Sequence, residues 1–458
     1  MRDNLIRVGV SAVVFASLGC ATVPRGRATT PDLVALDGAL GNRFVPAGER
    51  SEVVARVRVS VPSTASLRRP ALNLALVIDT SGSMDGRPIE DARAAGRALV
   101  ESLRDGDRLA VVTFDSRAEV LLPSTVINTA SRATAMTRLG GIVARGTTAM
   151  AEGLRLGVVE AVGHLDPTGI NRVVLLGDGV PNDAAGIVET AAMAGARGVT
   201  ITALGLGLDY DETLMGNIAQ RSGGRFHFIE DSSAVAAVFR DEVLRMQRVV
   251  GRNAVAQLIP GPGVEIEGVV GVDATRTDEG VTVTLGEVTE GVQRDLVVRL
   301  TAPSRRAGAA VELLDVVLRY QDAVGNAGQI ERRAFLGARA SANPEERARG
   351  RDEEVERTAA TQQLAAGTLA AIRDARAGQV ALAQQRLDAV VAQADAAARR
   401  RNDPELVQRV SAVRGLRRAL PSVAPSMSAP PTADEAPTPQ EAPAAVRSAH
   451  GAAMSTLY

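Results

Sequence analysis

Lysine is missing altogether. The 458 residues carry 52 basic side chains, all of them arginine, against 53 acidic ones, for a formal net charge of −1. A Gly-rich phosphate loop that closes on a lysine is therefore excluded, and so even a charge balance argues against a general nucleic-acid binder. Tryptophan is also absent and aromatics make up 2%, which leaves few stacking platforms for single strands or sugars. Cys20 is the only cysteine, so no internal disulfide can form. The only histidines are His164, His227 and His450. A hydrolase needs a nucleophile with a base beside it. Here His164 closes a helical pattern, His227 lies between Phe226 and Phe228 in a strand pattern, and His450 falls in a polar tail. No Gly-x-Ser-x-Gly elbow occurs, and the chain is read as non-catalytic. Beyond residue 20 no apolar run is long enough to span a bilayer.

What is present centres on the stretch Leu74 to Asp85, LALVIDTSGSMD. Five apolar residues, Leu74 to Ile78, read as a strand covered on both faces. Small, turn-prone, oxygen-bearing residues follow, so the chain leaves the sheet there. Ile89, Ala92, Gly96, Leu99, Val100 and Leu103 then recur at helical spacing. A strand, a polar loop and a helix put Asp79, Ser81 and Ser83 at the carboxyl end of a sheet, where open α/β sheets bind ligands. These three residues alternate, so an extended turn can aim one carboxylate and two hydroxyls at one point. That donor set suits a hard cation such as Mg²⁺. Taken alone, the same pattern also describes a serine-rich turn capping the helix.

Strand and helix patterns keep alternating to residue 249. Arg108–Phe114, Ala118–Leu122, Arg172–Leu176, Val199–Leu204 and Arg225–Ile229 read as strands. Ala149–Leu165, Ala184–Arg197, Asp211–Ala219 and Ala234–Met246 read as helices. This order predicts an α/β fold with a doubly wound, mostly parallel sheet. Two further loops in it carry oxygens, Gly146-Thr147-Thr148-Ala149 before a helix and Gly177-Asp178-Gly179 after a strand.

Asp79-x-Ser81-x-Ser83, the threonine of the Gly146 loop and the aspartate of Leu175-Leu176-Gly177-Asp178-Gly179 resemble the metal-ion-dependent adhesion site of von Willebrand factor type A domains. Position before Glu152-Gly153-Leu154 matches Thr148 rather than Thr147. Gly177 stands where the family usually has a threonine that is not a ligand. The resemblance implies a divalent ion, Mg²⁺ or Mn²⁺ ahead of Ca²⁺, held by Asp79, Ser81, Ser83, Thr148 and Asp178. It also implies a protein partner whose acidic side chain completes the shell. Pro46-Ala47-Gly48, Gly86-Arg87-Pro88, Gly106 to Phe114 and Gly223-Gly224-Arg225-Phe226 are further similar to bacterial exported proteins labelled calcium-activated chloride-channel homologues, over roughly residues 44–271.

The amino-terminal residues 1–20 read as a signal peptide, with Arg2 and Arg7 ahead of the apolar Val8–Leu18. Ser17-Leu18-Gly19-Cys20 resembles a lipobox, which would lipidate Cys20. Ser17 departs from the aliphatic residue usual there, and cleavage near Ala21 is the alternative. Residues 21–43 read as a flexible tether, and 44–66 as strand sequence, with Val57, Val59 and Val61 alternating with Arg56, Arg58 and Ser60. Residues 67–249 form the α/β domain and 250–340 a small β-sandwich that the Val53–Val61 strand is expected to join, so that the α/β domain is inserted in it or flanked by it. Residues 341–420 form a helical region of two antiparallel helices and a shorter third, the first starting at Asn343-Pro344-Glu345. Residues 421–458 are a disordered Pro/Ala-rich tail. The whole reads as an exported cell-envelope protein, outer-membrane or periplasm-facing. It would touch the membrane through a lipid anchor only and bind a protein, not nucleic acid. The rival is a structural envelope component whose metal only stabilises the fold.

Overall fold

The computed structural model describes residues 33–62, 70–178, 181–182, 184–206, 212–229, 231–325 and 327–419, with 446, 449, 451–453 and 456 near the end. Cys20 and the signal and lipobox sequence lie outside the described residues.

The chain enters through β1 (Ala35–Leu40), β2 (Phe44–Pro46) and β3 (Ser51–Ser60). The expectation of a tether over 21–43 is corrected from residue 35 on, while residues 21–32 lie outside the described residues. Leu36 to Leu40 pair antiparallel with Val59 to Ala55 of β3. Asp37 and Gly38 break the alternation of its apolar residues, which hid the strand, and pairing with β3 fixes it.

The α/β domain follows as β4 (Leu72–Asp79), α1 (Arg87–Ser102), β5 (Arg108–Phe114), β6 (Ala118–Val126), α2 (Thr129–Gly140), α3 (Met150–Gly163), β7 (Ile170–Gly177), α4 (Ile187–Ala196), β8 (Val199–Leu206), α5 (Glu212–Ser222), β9 (Phe226–Ile229) and α6 (Val235–Met246). The six strands run in the order β6-β5-β4-β7-β8-β9. All pairs are parallel except β5 with β6. Every residue of β4 is buried, because it lies between β5 and β7 with helices on both faces. Leu72, Leu74, Leu76 and Ile78 join α1, α2 and α6 in one core, while Ala75 and Val77 join α3, α4 and α5 in the other. The alternation is the pleat of the strand made visible. Helix α2 went unread in the sequence, since Ala, Thr and Ser dominate it. Its start is set by a capping box in which the Asn128 side chain accepts from the amides of Ala130 and Ser131.

Helix α3 packs unusually near the sheet. A Cβ on Gly157 would come within 2.3 Å of Val77 Cγ2, and one on Gly153 within 2.6 Å of the Phe114 ring. Both glycines face inward one turn apart, so the helix backbone rests where side chains would otherwise stand.

From α6 the chain passes with two intervening residues into β10 (Val249–Pro260), then β11 (Glu265–Val269), β12 (Thr275–Thr277), β13 (Gly280–Thr289), β14 (Gln293–Ala302), β15 (Ala310–Asp322) and β16 (Gln329–Ser341). These strands and the entering ones build two sheets, β1-β3-β14-β11 and β12-β13-β10-β15-β16-β2. Both contribute to one apolar core, with Val57, Val59 and Val298 from the first and Leu258, Val316 and Leu318 from the second. β3 pairs with β14 along its whole length, Ser51 to Ser60 against Ala302 to Gln293. The α/β domain is thus an insertion between a strand and its sheet partner.

The face of β3 expected to be half-exposed is covered. Arg56 is 4% exposed, because the helical region lies over it. That region is α7 (Pro344–Arg349), α8 (Glu353–Arg376), α9 (Val380–Arg401) and α10 (Pro404–Ala419). Glu354 of α8 meets both Arg56 and Arg58 at 2.8 Å, and Gln362 donates to the Asp295 carbonyl at 2.8 Å. The helix expected to run on from Asn343 instead stops at Gly350. A new one begins behind the Asp352 cap, because Arg351 bridges to Asn42. Arg386 to Asp374 at 2.8 Å and Arg417 to Asp388 at 2.6 Å show α8, α9 and α10 packed antiparallel in succession. The tail is not wholly without packing. Val446 and Ala449 join the core of α8, α9 and α10, and Ala453 packs beside Ala365.

Replacing Gly153 by Val should destabilise the protein by about 1–3 kcal/mol through overpacking against Phe114, read as a lowered urea midpoint with an unchanged m-value. An unchanged or raised midpoint would show that α3 can move off the sheet.

Candidate metal centre

The chain runs from β4 to β5 on one side of the sheet and returns to β7 on the other. The carboxyl ends of β4 and β7 therefore flank a topological switch point, where two loops part and leave a crevice. Asp79 ends β4, and Asp178 directly follows β7.

Side chains from both loops converge there. Asp79 Oδ1 accepts from the Ser81 amide at 2.8 Å, which bends the chain out of the strand. Ser81 Oγ lies 3.0 Å from Ser83 Oγ, and Ser83 Oγ donates to Asp178 Oδ1 at 2.7 Å. Asp79 and Ser81 are buried, while Ser83 stands exposed at the mouth. The structure thus links Asp79, Ser81, Ser83 and Asp178 in one hydrogen-bonded chain.

Thr148 arrives from a third loop. The Arg145 amide donates to the Thr80 carbonyl at 2.7 Å, the Gly82 amide to the Gly146 carbonyl at 3.1 Å, and the Asn182 amide to the Thr148 carbonyl at 3.1 Å. These bonds hold the threonine loop against both others, and Thr148 itself is buried. Thr147 is exposed, and its hydroxyl lies 3.3 Å from Ser116 Oγ.

Ser116 belongs to a fourth loop, between β5 and β6, that sequence reading passed over. Asp115 accepts from Arg145 Nε at 2.7 Å, and its carbonyl accepts from the Ala149 amide at 2.7 Å. Gly146 takes φ +69° there, and a Cβ would stand 2.4 Å from Ser116 Oγ. The signal in the sequence was Asp115-Ser116-Arg117, a polar turn directly after a buried strand. Asp115 acts on Thr148 by shaping its loop.

Among the described residues no group of three or more His, Cys, Asp or Glu side chains is placed to hold a metal ion. Any cation site drawn from them must use hydroxyl oxygens as well. The crevice has that composition, two carboxylates with the hydroxyls of Ser81 and Ser83, and the buried Thr148 adjoins it on the third loop. Asp79 Oδ2 is buried with no hydrogen-bond partner. An orphaned carboxylate oxygen costs free energy unless something supplies positive charge. Burial pushes the Asp79 carboxyl up to about 7 against the hydrogen bonds from Ser81, and the charge of Asp178 adds to the rise. A hard divalent ion removes both penalties at once. The residues present therefore fit such an ion. Gly177 leaves room beneath it, since a Cβ would lie 3.0 Å from Met150 Cε and 3.7 Å from Asp79 Oδ2.

His227 lies elsewhere. It sits on the edge strand β9, two strands beyond β7, and its Nε2 is 2.9 Å from Glu242 Oε1.

Comparison with known proteins agrees with this architecture. Residues 73–241 match the von Willebrand factor type A domain. The chain is 31% identical over 280 residues to the uncharacterized protein sll0103 of Synechocystis, covering 58% of this chain and 66% of that one. It is 32% identical over 199 residues to the uncharacterized protein YfbK of Escherichia coli, covering 41% and 34%. The chain thus spans about two thirds and one third of these curated relatives. A von Willebrand factor type A protein of Catenulispora acidiphila shares the fold with a TM-score of 0.66 at 20% identity, over 84% of this chain and 90% of that one. Domains of this type typically bind a divalent metal and serve as protein-interaction modules.

With metal chelated, Asp79 should make stability depend on pH. Its folded value of about 7 lies above the unfolded value of 3.8. The advantage of the protonated form is complete below pH 4 and is lost as pH rises through 7. Melting in EDTA should therefore show wild type losing stability relative to Asp79→Asn between pH 4 and 7. Parallel pH profiles would contradict this. Taken together, the sheet order, the three converging loops and the family match identify residues 73–241 as a von Willebrand factor type A domain.

Proposed function

We propose that the chain is an exported, lipid-anchored cell-envelope protein that binds a protein partner through a divalent ion, Mg²⁺ or Mn²⁺. Asp79, Ser81, Ser83, Thr148 and Asp178 hold the ion, and an acidic side chain of the partner completes its shell. The observation that carries this reading is the pairing of an orphaned buried oxygen, Asp79 Oδ2, with an exposed hydroxyl, Ser83 Oγ, in one connected set. The ion would be neutralised from below and open from above. A cation so placed keeps coordination positions for ligands from solvent or from another protein.

Each residue has its task. Asp79 supplies charge from within. Ser81 and Ser83 offer neutral oxygens, and Asp178 orients Ser83 by accepting its proton. Thr148 adds an oxygen from the loop that Asp115 and Arg145 brace. The site performs no chemistry on the partner. The ion supplies electrostatic attraction for a carboxylate, and the protein supplies its position. Export and anchoring through Cys20 rest on the sequence of residues 1–20.

A second reading draws on the depth of Asp79. A carboxylate so fully buried beside another is costly without a cation, so the ion would serve stability alone. The two readings separate under chelation. Pull-down from envelope extract with wild type in Mg²⁺ should retain partners that are lost in EDTA and with Asp79→Ala, with affinity falling at least ~10–100-fold, the range seen on losing metal-site support. Retention of the same partners in all three, with a lowered melting temperature on chelation, would leave only the stabilising role.

A further inference from the structure

All three sheets are open, and an edge strand presents amides and carbonyls that lack a neighbour. The longer edge of the α/β sheet is closed by side chains. On β6 the amides of Ala118 and Ser124 donate to Glu152 and Glu160 of α3 at 3.1 and 2.8 Å, and Arg138 of α2 donates to the Leu121 carbonyl. Pro123 in the same strand has no amide to offer. The edge strands β1, β2, β9, β11 and β12 have six residues or fewer and present little ladder.

β16 differs from all of these. It has 13 residues and pairs with β15 from Gln329 to Arg339. On its other side β2 covers only Arg339, Ala340 and Ser341. The direction of its main-chain groups follows from both ends. The Asp322 amide of β15 donates to the Gly328 carbonyl at 2.8 Å, whereas the Arg339 amide donates away from β15, to the Arg43 carbonyl at 3.0 Å. Alternate residues of a strand direct these groups to the same side. Glu331, Arg333, Phe335 and Gly337 therefore direct theirs outward. Among the described residues nothing meets the outward main chain of Arg333, Phe335 or Gly337. At Glu331 only the carbonyl is met, by Arg332 Nη1 of the same chain at 3.0 Å, and a carbonyl keeps a second lone pair.

The side chains along this edge are complementary to their own reverse. Glu331, Arg333 and Phe335 stand exposed on one face, Phe335 at 63%. Glu331 accepts from Arg319 and from Arg333, each at 2.9 Å and on a different oxygen, and Arg333 lies 4.0 Å from Asp315. A two-fold axis normal to the sheet lays two such edges antiparallel. In the register that sets Glu331 opposite Arg333 of the copy, Arg333 faces the copy's Glu331 as well. Phe335 then lies over the aliphatic part of the copy's Gln329. All the outward groups of Glu331 and Arg333 find partners in the same step. Registers one step to either side oppose Glu331 to itself or Arg333 to itself. The chosen register also keeps the copy's strand clear of β2. Its one like-charge meeting is Arg332 with the copy's Arg332, on the axis and on the opposite face.

We propose that β16 pairs with β16 of a second copy of this chain, antiparallel, with Glu331 opposite Arg333 in both directions. Main-chain bonds supply the attraction and the charge order supplies the register. The contact is short and belongs to the weak class of interfaces. It uses none of the metal loops and is independent of the divalent ion.

The test is sedimentation of the full chain over a concentration series, in Mg²⁺ and in EDTA. Wild type should show a monomer–dimer equilibrium that EDTA leaves unchanged. Glu331→Arg and Arg333→Glu should each weaken it about tenfold, because each sets like charges opposite one another twice. Mixed in equal amounts, the two variants should form a heterodimer at least as tight as the wild-type dimer, since one brings two guanidinium groups to two carboxylates of the other. Arg332→Gln should tighten the dimer by relieving the meeting on the axis. Phe335→Pro removes an outward amide that no bond within the chain uses, and should abolish the dimer while the chain stays folded. A wild type monomeric up to ~0.5 mM, a dimer lost in EDTA from a chain that stays folded, or variants that do not associate when mixed would overturn the proposal. Capture of another protein's strand on this edge in place of the copy overturns it too.

Discussion

Two carboxylates near the carboxyl ends of adjacent strands govern this molecule. Asp79 is wholly buried, and its charge is close enough to that of Asp178 to raise its pKa. In the protein alone the repulsion is softened by a chain of hydroxyls, Ser81 to Ser83 to Asp178. Hydrogen bonds orient those oxygens but bring no positive charge. The site is preorganised and electrostatically unsatisfied, a state that only a cation or a proton relieves. The surrounding design serves to keep the oxygens from relaxing apart. β4 is hydrogen-bonded on both sides, Gly153 and Gly157 let α3 press onto the sheet, and Asp115 with Arg145 braces the Thr148 loop.

The inserted topology adds a second constraint. β3 and β14 pair residue by residue although more than two hundred residues separate them, so this sheet joins the chain on both sides of the α/β domain. Both ends of that domain leave from the same β structure. Its lower pole is held by Arg172 between Glu242 and Glu287, a buried pair that demands accurate docking because either carboxylate left alone would be costly. The covering of β3 by α8 through Arg56, Arg58 and Glu354 extends the same logic to the helical region.

Much of this was legible in the residues. Short continuous apolar runs give way to apolar positions three and four apart at most strand-to-helix passages, and this located most strands and helices of the inserted domain. The alternation Asp79, Ser81, Ser83 announced a cation-suited turn because side-chain direction in extended chain follows spacing. Other elements were silent. β1 sets Asp37 and Gly38 between Ala35-Leu36 and Ala39-Leu40, so no period-two alternation marks it as a strand. α2 is rich in Ala, Thr and Ser and shows a weak pattern. The Asp115 loop holds ordinary turn residues whose value comes from what lies across from them.

The sequence by itself determined which segments could be strand or helix and which oxygens could serve a cation, because backbone preference and side-chain chemistry are local properties. Tertiary structure alone decided that Thr147 spends its hydroxyl on Ser116 while Thr148 turns inward to burial. It alone decided that Arg56 is covered and that Arg172 is buried between Glu242 and Glu287. Each of those outcomes depends on a partner distant in the chain, and the free energy of a charge or a polar group is set by what surrounds it once the chain has closed.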